Sequence, residues 1–441
     1  MAHHARGRRR GGAVTSATAN SDTLRFPLAG ADAGADAVSF PLVVFGVHWF
    51  VVQLAATFTY RFGTPNQVLS PPYREMPPPL AGLAHRLVEP LRQWDGLWYK
   101  LIAEQGYGDP KQIARAAFWP LYPWLMGAGA NVTGWSTDSV GYVISNLAFA
   151  GALVLLYRLV AIDFALPVVR RTVVALAFFP TAFFFQAVYT ESLFLLLVVG
   201  ALLAARTERW WLAGIVGALA ALTRSYGVLL GLPFAVLLIQ QYRLEIRRWF
   251  PAIFFAALPL LGPAIFGWHL NRVQGNWRAW ADVQLEWNRS SAPPWQTLRC
   301  AVESCPPFYL DGADWTWLRM LQSSPTWQTL TSYEFRLGAA DSDTLELVCT
   351  LLFLALAIVG LWRLPLYQSA FLLPGLLIPL FQPSQVHALM SMPRFGLTLF
   401  PLFVAIGLLT SSRRIAIPLL VLSTLLLVFF TSQFALWYWV S

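Results

Sequence analysis

The chain has 441 residues, of which 57% are hydrophobic and only 12% charged, and its net charge is +9. A soluble domain carries about 25% charged residues, so there is too little polar surface here to cover a water-soluble globule. The surplus of Lys and Arg forms no basic face and no nucleic-acid-binding signature; it falls in short turns between apolar runs, which excludes nucleic acid as a partner and ties the charge to membrane orientation.

Residues 1–36 are rich in Arg, Ala, Gly and Asp and read as a disordered cytoplasmic tail. No cleavable signal peptide is visible, and the apolar run that starts near Ala37 is long enough to remain as an anchor. Transmembrane helices are expected at 38–58, 139–160, 172–188, 191–206, 210–223, 226–242, 249–268, 344–362, 366–381, 394–410 and 415–438. The runs are continuous rather than alternating, which excludes a β-barrel. The fold class is an all-α polytopic membrane protein with about 11 transmembrane helices. Residues 37–268 form its main module, with a first outer loop at 59–138, and 269–343 form a Trp-rich outer loop or cap. Residues 344–441 supply the closing helices. The segment "AFWPLYPWLMGAGANVTG" at 117–134 is short and broken by Pro120 and Pro123, so an interfacial or re-entrant piece suits it better than a span.

Arg6, Arg8, Arg9 and Arg10 mark the tail, and further basic turns hold Arg158, Arg170, Arg171, Arg206, Arg209, Arg243, Arg247, Arg248, Arg363, Arg413 and Arg414. With these on the cytoplasmic side, the N-terminus is inside and the C-terminus outside. The remaining polar clusters then share the outer face. They are 59–116 with Asp95, the tip "YTES" with Glu191, the tip "LTRSYG" with Arg224, the loop 269–343, and "QPSQVHALMSMPRF" with His387 and Arg394. A transporter or lipid flippase would keep ionisable groups near the bilayer midplane and show inverted repeats, and neither is seen. A non-catalytic membrane subunit is the other alternative.

The stretch "QWDGLWYKLIAEQGYGDP" at 93–110 is closed by Gly106 and Pro110, so 91–105 reads as a short helix. Trp94, Trp98, Leu101 and Ile102 share one face, suited to the headgroup region, with Asp95 and Tyr99 on the flank beside it. A plain amphipathic helix with a paired or capping Asp95 fits the same pattern. Thr190 is placed to cap the following helix, with Glu191 in its first turn. The run "AFFPTAFFF" at 177–185 suits either a prenyl groove or a packed core. Cys300 and Cys305 allow a small disulfide or two free thiols; no metal-ligand spacing is present.

"QWDGLWYKLIAEQGY" resembles the W-D…WY…IA…GY stretch of the PIG-V-like mannosyltransferases, a family of GT-C membrane glycosyltransferases that comprises the GPI-anchor second mannosyltransferases and their bacterial relatives. The likeness continues in order. "FWPLYP" (118–123) is similar to that family's FFPLYP, "FFPTAFFFQAVYTESLFLLL" (178–197) to its FPT…YTES segment, "ALTRSYGVL" (221–229) to its TRS-G segment and "SMPRFGLTLFPLF" (391–403) to its late PR(Y/F)…FP segment. The departures are Trp119 for Phe and Phe395 where Tyr is usual, and the tail and large loop match nothing in it.

The resemblance implies a GT-C-type fold with outer-face interfacial helices. It also implies transfer of a hexose, by family habit mannose, from a polyprenyl-phosphate-sugar donor to a lipid, glycan or protein hydroxyl by a single inverting displacement. Such a step needs a base at the hydroxyl and cations at the leaving phosphate. Asp95 is the candidate base. Arg224 and Arg394, with forked donors, are candidates for the phosphate. Trp94, Tyr99, Glu191 and His387 are candidate substrate contacts. No cofactor and no metal is expected, and the expected location is a bacterial plasma membrane. Helix-end arginines that merely snorkel, and a Glu191 that merely serves its helix, remain open readings. The Trp-rich loop suits either sugar stacking or interfacial anchoring.

Overall fold

The first long helix shows why the chain seeks a bilayer. In the computed structural model, which describes residues 31–66, 73, 79–109, 112–243, 245–302, 316–340, 343–384 and 387–440, α1 runs Ala31–Phe62. Val44, His48, Val52 and Ala56 are buried on one face, while Val43, Val47, Phe50, Leu54 and Phe58 point outward. An outward apolar stripe of this length is stable only against lipid or another apolar surface. Most of the tail, together with Cys305 and Trp315, lies outside the described residues.

Local signals set the boundaries of the site-bearing elements. The short helix α2 is Asp95–Gln105 and ends at Gly106, whose φ of +70° only Gly adopts freely. Helix α3, Leu121–Thr133, stops in the same way at Gly134, and Ser136 then caps α4, Thr137–Asp163, by accepting from the Ser139 N–H. After α5, Leu166–Ala177, the chain unwinds at Phe178–Thr181 into a 3-10 turn, Ala182–Phe185. The expected span at 172–188 is therefore two pieces. Phe183, Phe184 and Phe185 are fully buried, with Phe185 stacked on Phe149 at 4.4 Å and Phe183 against Phe434 at 5.0 Å. This run is packed core rather than a prenyl groove.

Helix α6, Glu191–Arg206, lies at the centre, packed between α4 and α7, Trp210–Thr223. The chain continues through α8, Gly231–Tyr242, α9, Ile246–Ala256, and α10, Leu261–Gln274. Short helices of the Trp-rich segment follow. The closing set is α11, Asp343–Arg363; α12, Leu366–Leu380; α13, Met392–Leu397; α14, Pro401–Leu409; and α15, Arg413–Ala435.

The protein is all-helical over its described residues, apart from one isolated bridge between Arg289 and Ser384. Among the described residues, six helical stretches are long and apolar enough to cross a membrane: Ala35–Phe62, Thr137–Asp163, Ser225–Tyr242, Trp249–Gln274, Asp343–Arg363 and Arg413–Ala435. A seventh is added if Met392–Thr398 and Pro401–Leu409, bent by 84°, are one span. The other expected spans are shorter helices. Residues 117–134 contribute α3, which at 13 residues is shorter than a span.

Two kinds of polar pairing mark opposite ends of the bundle. At one end Arg206 meets Asp163 at 2.6 Å, the Tyr367 hydroxyl donates to Asp163 at 2.8 Å, and Arg170 meets Asp36 at 2.8 Å. Helix α6 then rises for its 16 residues, about 24 Å, to Glu191 at the other end. The candidate site is there. Arg170 and Arg206, two of the arginines used above to orient the chain, are at the Asp163 end.

Candidate active site

The site begins with a strained turn. Trp94 has φ +54° and ψ −114°, a conformation that costs a non-glycine residue about 1–3 kcal/mol and must be held by its surroundings. Tyr189, from "YTES", is one clamp: its hydroxyl accepts from the Asp95 N–H at 3.1 Å and donates to the Gln93 carbonyl at 3.2 Å. The Val188 N–H donates to the Leu91 carbonyl at 3.0 Å, so two distant motifs are stitched together by backbone and phenol. The Trp94 indole donates to the Tyr438 carbonyl at 3.3 Å and packs edge-on against Tyr73, Trp437 and Trp439. The turn thereby presents Asp95 as the first residue of α2, its side chain almost wholly buried.

Asp95 is ion-paired with Arg394, which follows another left-handed residue, Ser391 at φ +69°. The Nε of Arg394 lies 3.3 Å from Glu191 Oε1, and Arg224 Nη1 reaches the same oxygen at 2.5 Å. The order is therefore Asp95–Arg394–Glu191–Arg224, two carboxylates alternating with two guanidiniums. Thr190 does not cap α6; its hydroxyl bonds the Tyr99 hydroxyl at 3.2 Å and accepts from Arg224 at 3.4 Å. Burial, with Glu191 and Asp95 adding to it, pushes the Tyr99 phenol well above its ordinary pKa, so it is a neutral hydrogen-bonding group at any working pH.

A cavity of about 490 Å³ opens beside this chain of charges. Asp95, Tyr99, Arg224 and Arg394 all line it, together with Thr190, Tyr226, Phe395 and Trp439. Four of the seven candidate residues are thus gathered at one cavity from α2, α13 and the end of α7. Glu191 is not in the cavity wall. It sits behind it, 1% exposed, bridging Arg224 and Arg394 from below. Trp94 is also off the wall, in the aromatic packing under the turn. His387 is elsewhere and pairs with Asp343 at 2.9 Å.

Sequence reasoning missed Arg289 and Gln284, which enter the cavity from the Trp-rich segment together with Trp280 and Trp287, two of the loop tryptophans for which sugar stacking was an open reading. Three ties position them: Ser290 N–H to the Pro383 carbonyl at 2.9 Å, Ala292 N–H to the Phe381 carbonyl at 3.1 Å, and Arg289 Nη1 to the Gln382 carbonyl at 2.9 Å. Nothing local in "WNRSSAPPW" separates Arg289 from the other loop arginines; only the long-range pairing with 381–384 does. Arg224, Arg289 and Arg394 surround the Phe395 ring, with guanidinium carbons 5.5, 5.9 and 5.9 Å from its centroid. The wall therefore carries three guanidiniums and one carboxylate. Its chemistry is that of an anion site with a single basic oxygen pair at its edge.

Among the described residues, Asp343, Glu346 and His387 put potential ligand atoms within 4.8 Å of one another and have the donor types to hold a divalent cation. No local pattern signals this grouping, because His387 is far from the other two in the chain. Glu346 also accepts from the Ser391 N–H at 2.9 Å, so the group steadies the turn that precedes Arg394. Cys300 is in a disulfide, and Cys349 is a buried free thiol.

Residues 42–247 match the family Mannosyltransferase (PIG-V). The matched stretch includes Asp95, Tyr99, Glu191 and Arg224 but ends before Arg289, His387 and Arg394. No curated protein and no solved structure matches the chain significantly.

Proposed function

We propose that this multi-pass membrane protein, PIG-V-like over residues 42–247, transfers a hexose, mannose first among candidates, from a polyprenyl-phosphate-sugar donor to an acceptor hydroxyl at the outer face of a bacterial plasma membrane. One observation carries the reading: a cavity at one end of the bundle that joins one carboxylate, Asp95, to three guanidiniums. The reaction is a single inverting displacement. The acceptor oxygen forms a bond to the anomeric carbon as the bond from that carbon to the phosphate oxygen breaks. The electron pair leaves with the lipid phosphate, and the hydroxyl proton passes to Asp95. A carboxylate is a weak base for a ground-state alcohol, but the hydroxyl acidifies as the new bond forms, and a positioned carboxylate then accepts its proton.

Arg394 and Arg224 supply positive charge near the leaving group, and Glu191 fixes the spacing of these two arginines. Tyr99 and Trp287 offer a hydroxyl and an apolar ring to the sugar. The acceptor, whether lipid, glycan or protein, enters beside the Trp-rich segment. A GT-C-type arrangement of about eleven crossings follows if the bent pair and the four shorter helices α5, α6, α7 and α12 each traverse the membrane, their reduced length being tolerated because protein rather than lipid surrounds them. No cofactor is required by this scheme.

The test is transfer of radiolabelled mannose from synthetic polyprenyl-phosphate-mannose by the purified protein, with membrane lipid extract as the acceptor pool. Product from wild type and none from a folded Asp95→Asn variant is the expected result. Equal product from both removes Asp95 from the chemistry. No product from wild type with mannose, glucose or arabinose donors rejects the transferase reading.

A further inference from the structure

The four charges Asp95, Arg394, Glu191 and Arg224 form a closed electrostatic set, each guanidinium already facing a carboxylate. Arg289 does not belong to it. Among the described residues no Asp or Glu lies in ion-pair contact with Arg289, whose side chain makes its one hydrogen bond there to the neutral Gln382 carbonyl. It is nevertheless partly buried, and it shares the Phe395 ring with two other guanidiniums. Burial is the main influence lowering its pKa from the ordinary arginine value; the charge of Arg394 acts in the same direction, while Tyr226 and Glu346 act against it without cancelling it. Holding a third positive charge here is unfavourable unless an anion balances it. The backbone ties at Ser290 and Ala292 and the side chain's own bond to Gln382 keep it at the cavity wall despite that cost.

From the placement of Arg289 on the cavity wall, with no carboxylate in ion-pair contact among the described residues, we propose that it is the primary phosphate-binding residue of the site, receiving the lipid phosphate that the transfer step releases. This rests on the transferase reading above and deepens it. Arg394 and Arg224 are thereby assigned mainly to holding Asp95 and Glu191 in place, and the Trp-rich segment becomes part of the donor site rather than only a cap. A phosphate seated at Arg289 would contact the face of the cavity formed by Tyr226, Gln284 and Trp287. Its prenyl chain would leave toward the apolar rings rather than toward Asp95, which keeps the carboxylate open to the acceptor.

The experiment measures binding without turnover. Full-length protein in detergent is titrated calorimetrically with geranylgeranyl phosphate and, separately, with inorganic phosphate, using wild type, Arg289→Gln, Arg289→Lys and Arg224→Gln. Arg289→Gln is expected to weaken geranylgeranyl phosphate by tenfold or more, Arg289→Lys to restore part of the loss, and Arg224→Gln to weaken it less than Arg289→Gln does. Gln retains a donor for the Gln382 carbonyl and removes a buried charge with no carboxylate in contact among the described residues, so its melting temperature is expected to equal or exceed that of wild type. Unchanged binding of geranylgeranyl phosphate by Arg289→Gln overturns the proposal, even if inorganic phosphate binding falls. So does a wild type that binds neither ligand. Arg289-dependent binding by a protein that transfers no sugar sinks the transferase reading and leaves the phosphate site standing; sugar transfer with Arg289-independent binding does the reverse.

Discussion

Replacing Asp95 by Asn separates its chemical duty from its electrostatic one. The carboxylate faces Arg394, and both side chains are at most 12% exposed. Breaking a buried ion pair from one side costs about 3–5 kcal/mol, because the remaining charge is left uncompensated. Here Glu191 stays 3.3 Å from Arg394, so the lower end, about 3 kcal/mol, is expected. With an unfolding entropy of roughly 2.1 cal/mol/K per residue, that is about 3 °C in melting temperature for a chain of this size. Loss of a general base costs a further factor of about 10²–10⁴ in rate, independent of the fraction folded. The double variant Asp95→Asn/Arg394→Gln removes both charges. It is expected to recover most of the stability and none of the rate, with a coupling energy of about 1–3 kcal/mol. Melting curves and initial rates per folded protein measure the two arms. An Asp95→Asn protein that melts about 3 °C lower yet turns over within tenfold of wild type would show that Asp95 is only Arg394's counter-ion.

Tyr189→Phe removes the hydroxyl that bridges the Asp95 N–H and the Gln93 carbonyl; a loss of about 1–3 kcal/mol and a fall in kcat larger than any rise in KM are expected from melting and steady-state kinetics. Gly227→Ala would put a methyl 2.3 Å from the Ala221 nitrogen, so the turn carrying Arg224 must shift; a loss of at least about 3 kcal/mol, seen as poor yield of folded protein, is expected. Arg92 joins Glu89 at 2.6 Å and Asp138 at 2.8 Å away from the main cavity, so Arg92→Ala should cost about 3–5 kcal/mol of stability while activity per folded molecule stays within a few-fold of wild type. Transfer is expected to survive EDTA, since guanidiniums supply charge at the leaving group. A rate abolished by the chelator and restored by Mg²⁺ or Mn²⁺ would contradict this and direct attention to Asp343, Glu346 and His387.

The class of the protein is written in its amino-acid composition and patterning. Its hydrophobic excess requires lipid, its continuous apolar runs require helices, and the grouping of Arg and Lys in short turns separates one end of the bundle from the other. The sequence also pointed to Asp95, Tyr99, Arg224 and Arg394, through their places in motifs that resemble those of the PIG-V-like mannosyltransferases. Tertiary structure decided the rest. Whether 172–188 forms one helix depended on how Phe183, Phe184 and Phe185 pack, since hydropathy counts apolar residues but not the direction the backbone must turn to bury them. Glu191 lies behind the wall rather than in it because two arginines, from segments about 30 and 200 residues further along the chain, converge on one of its oxygens. Trp94 serves the turn and not the cavity because the strained backbone that presents Asp95 must be wedged in place by aromatic packing from the C-terminal segment. Arg289 was invisible in sequence for the same reason: its position comes from backbone pairing with residues more than 90 places away, and no local pattern encodes a contact of that range.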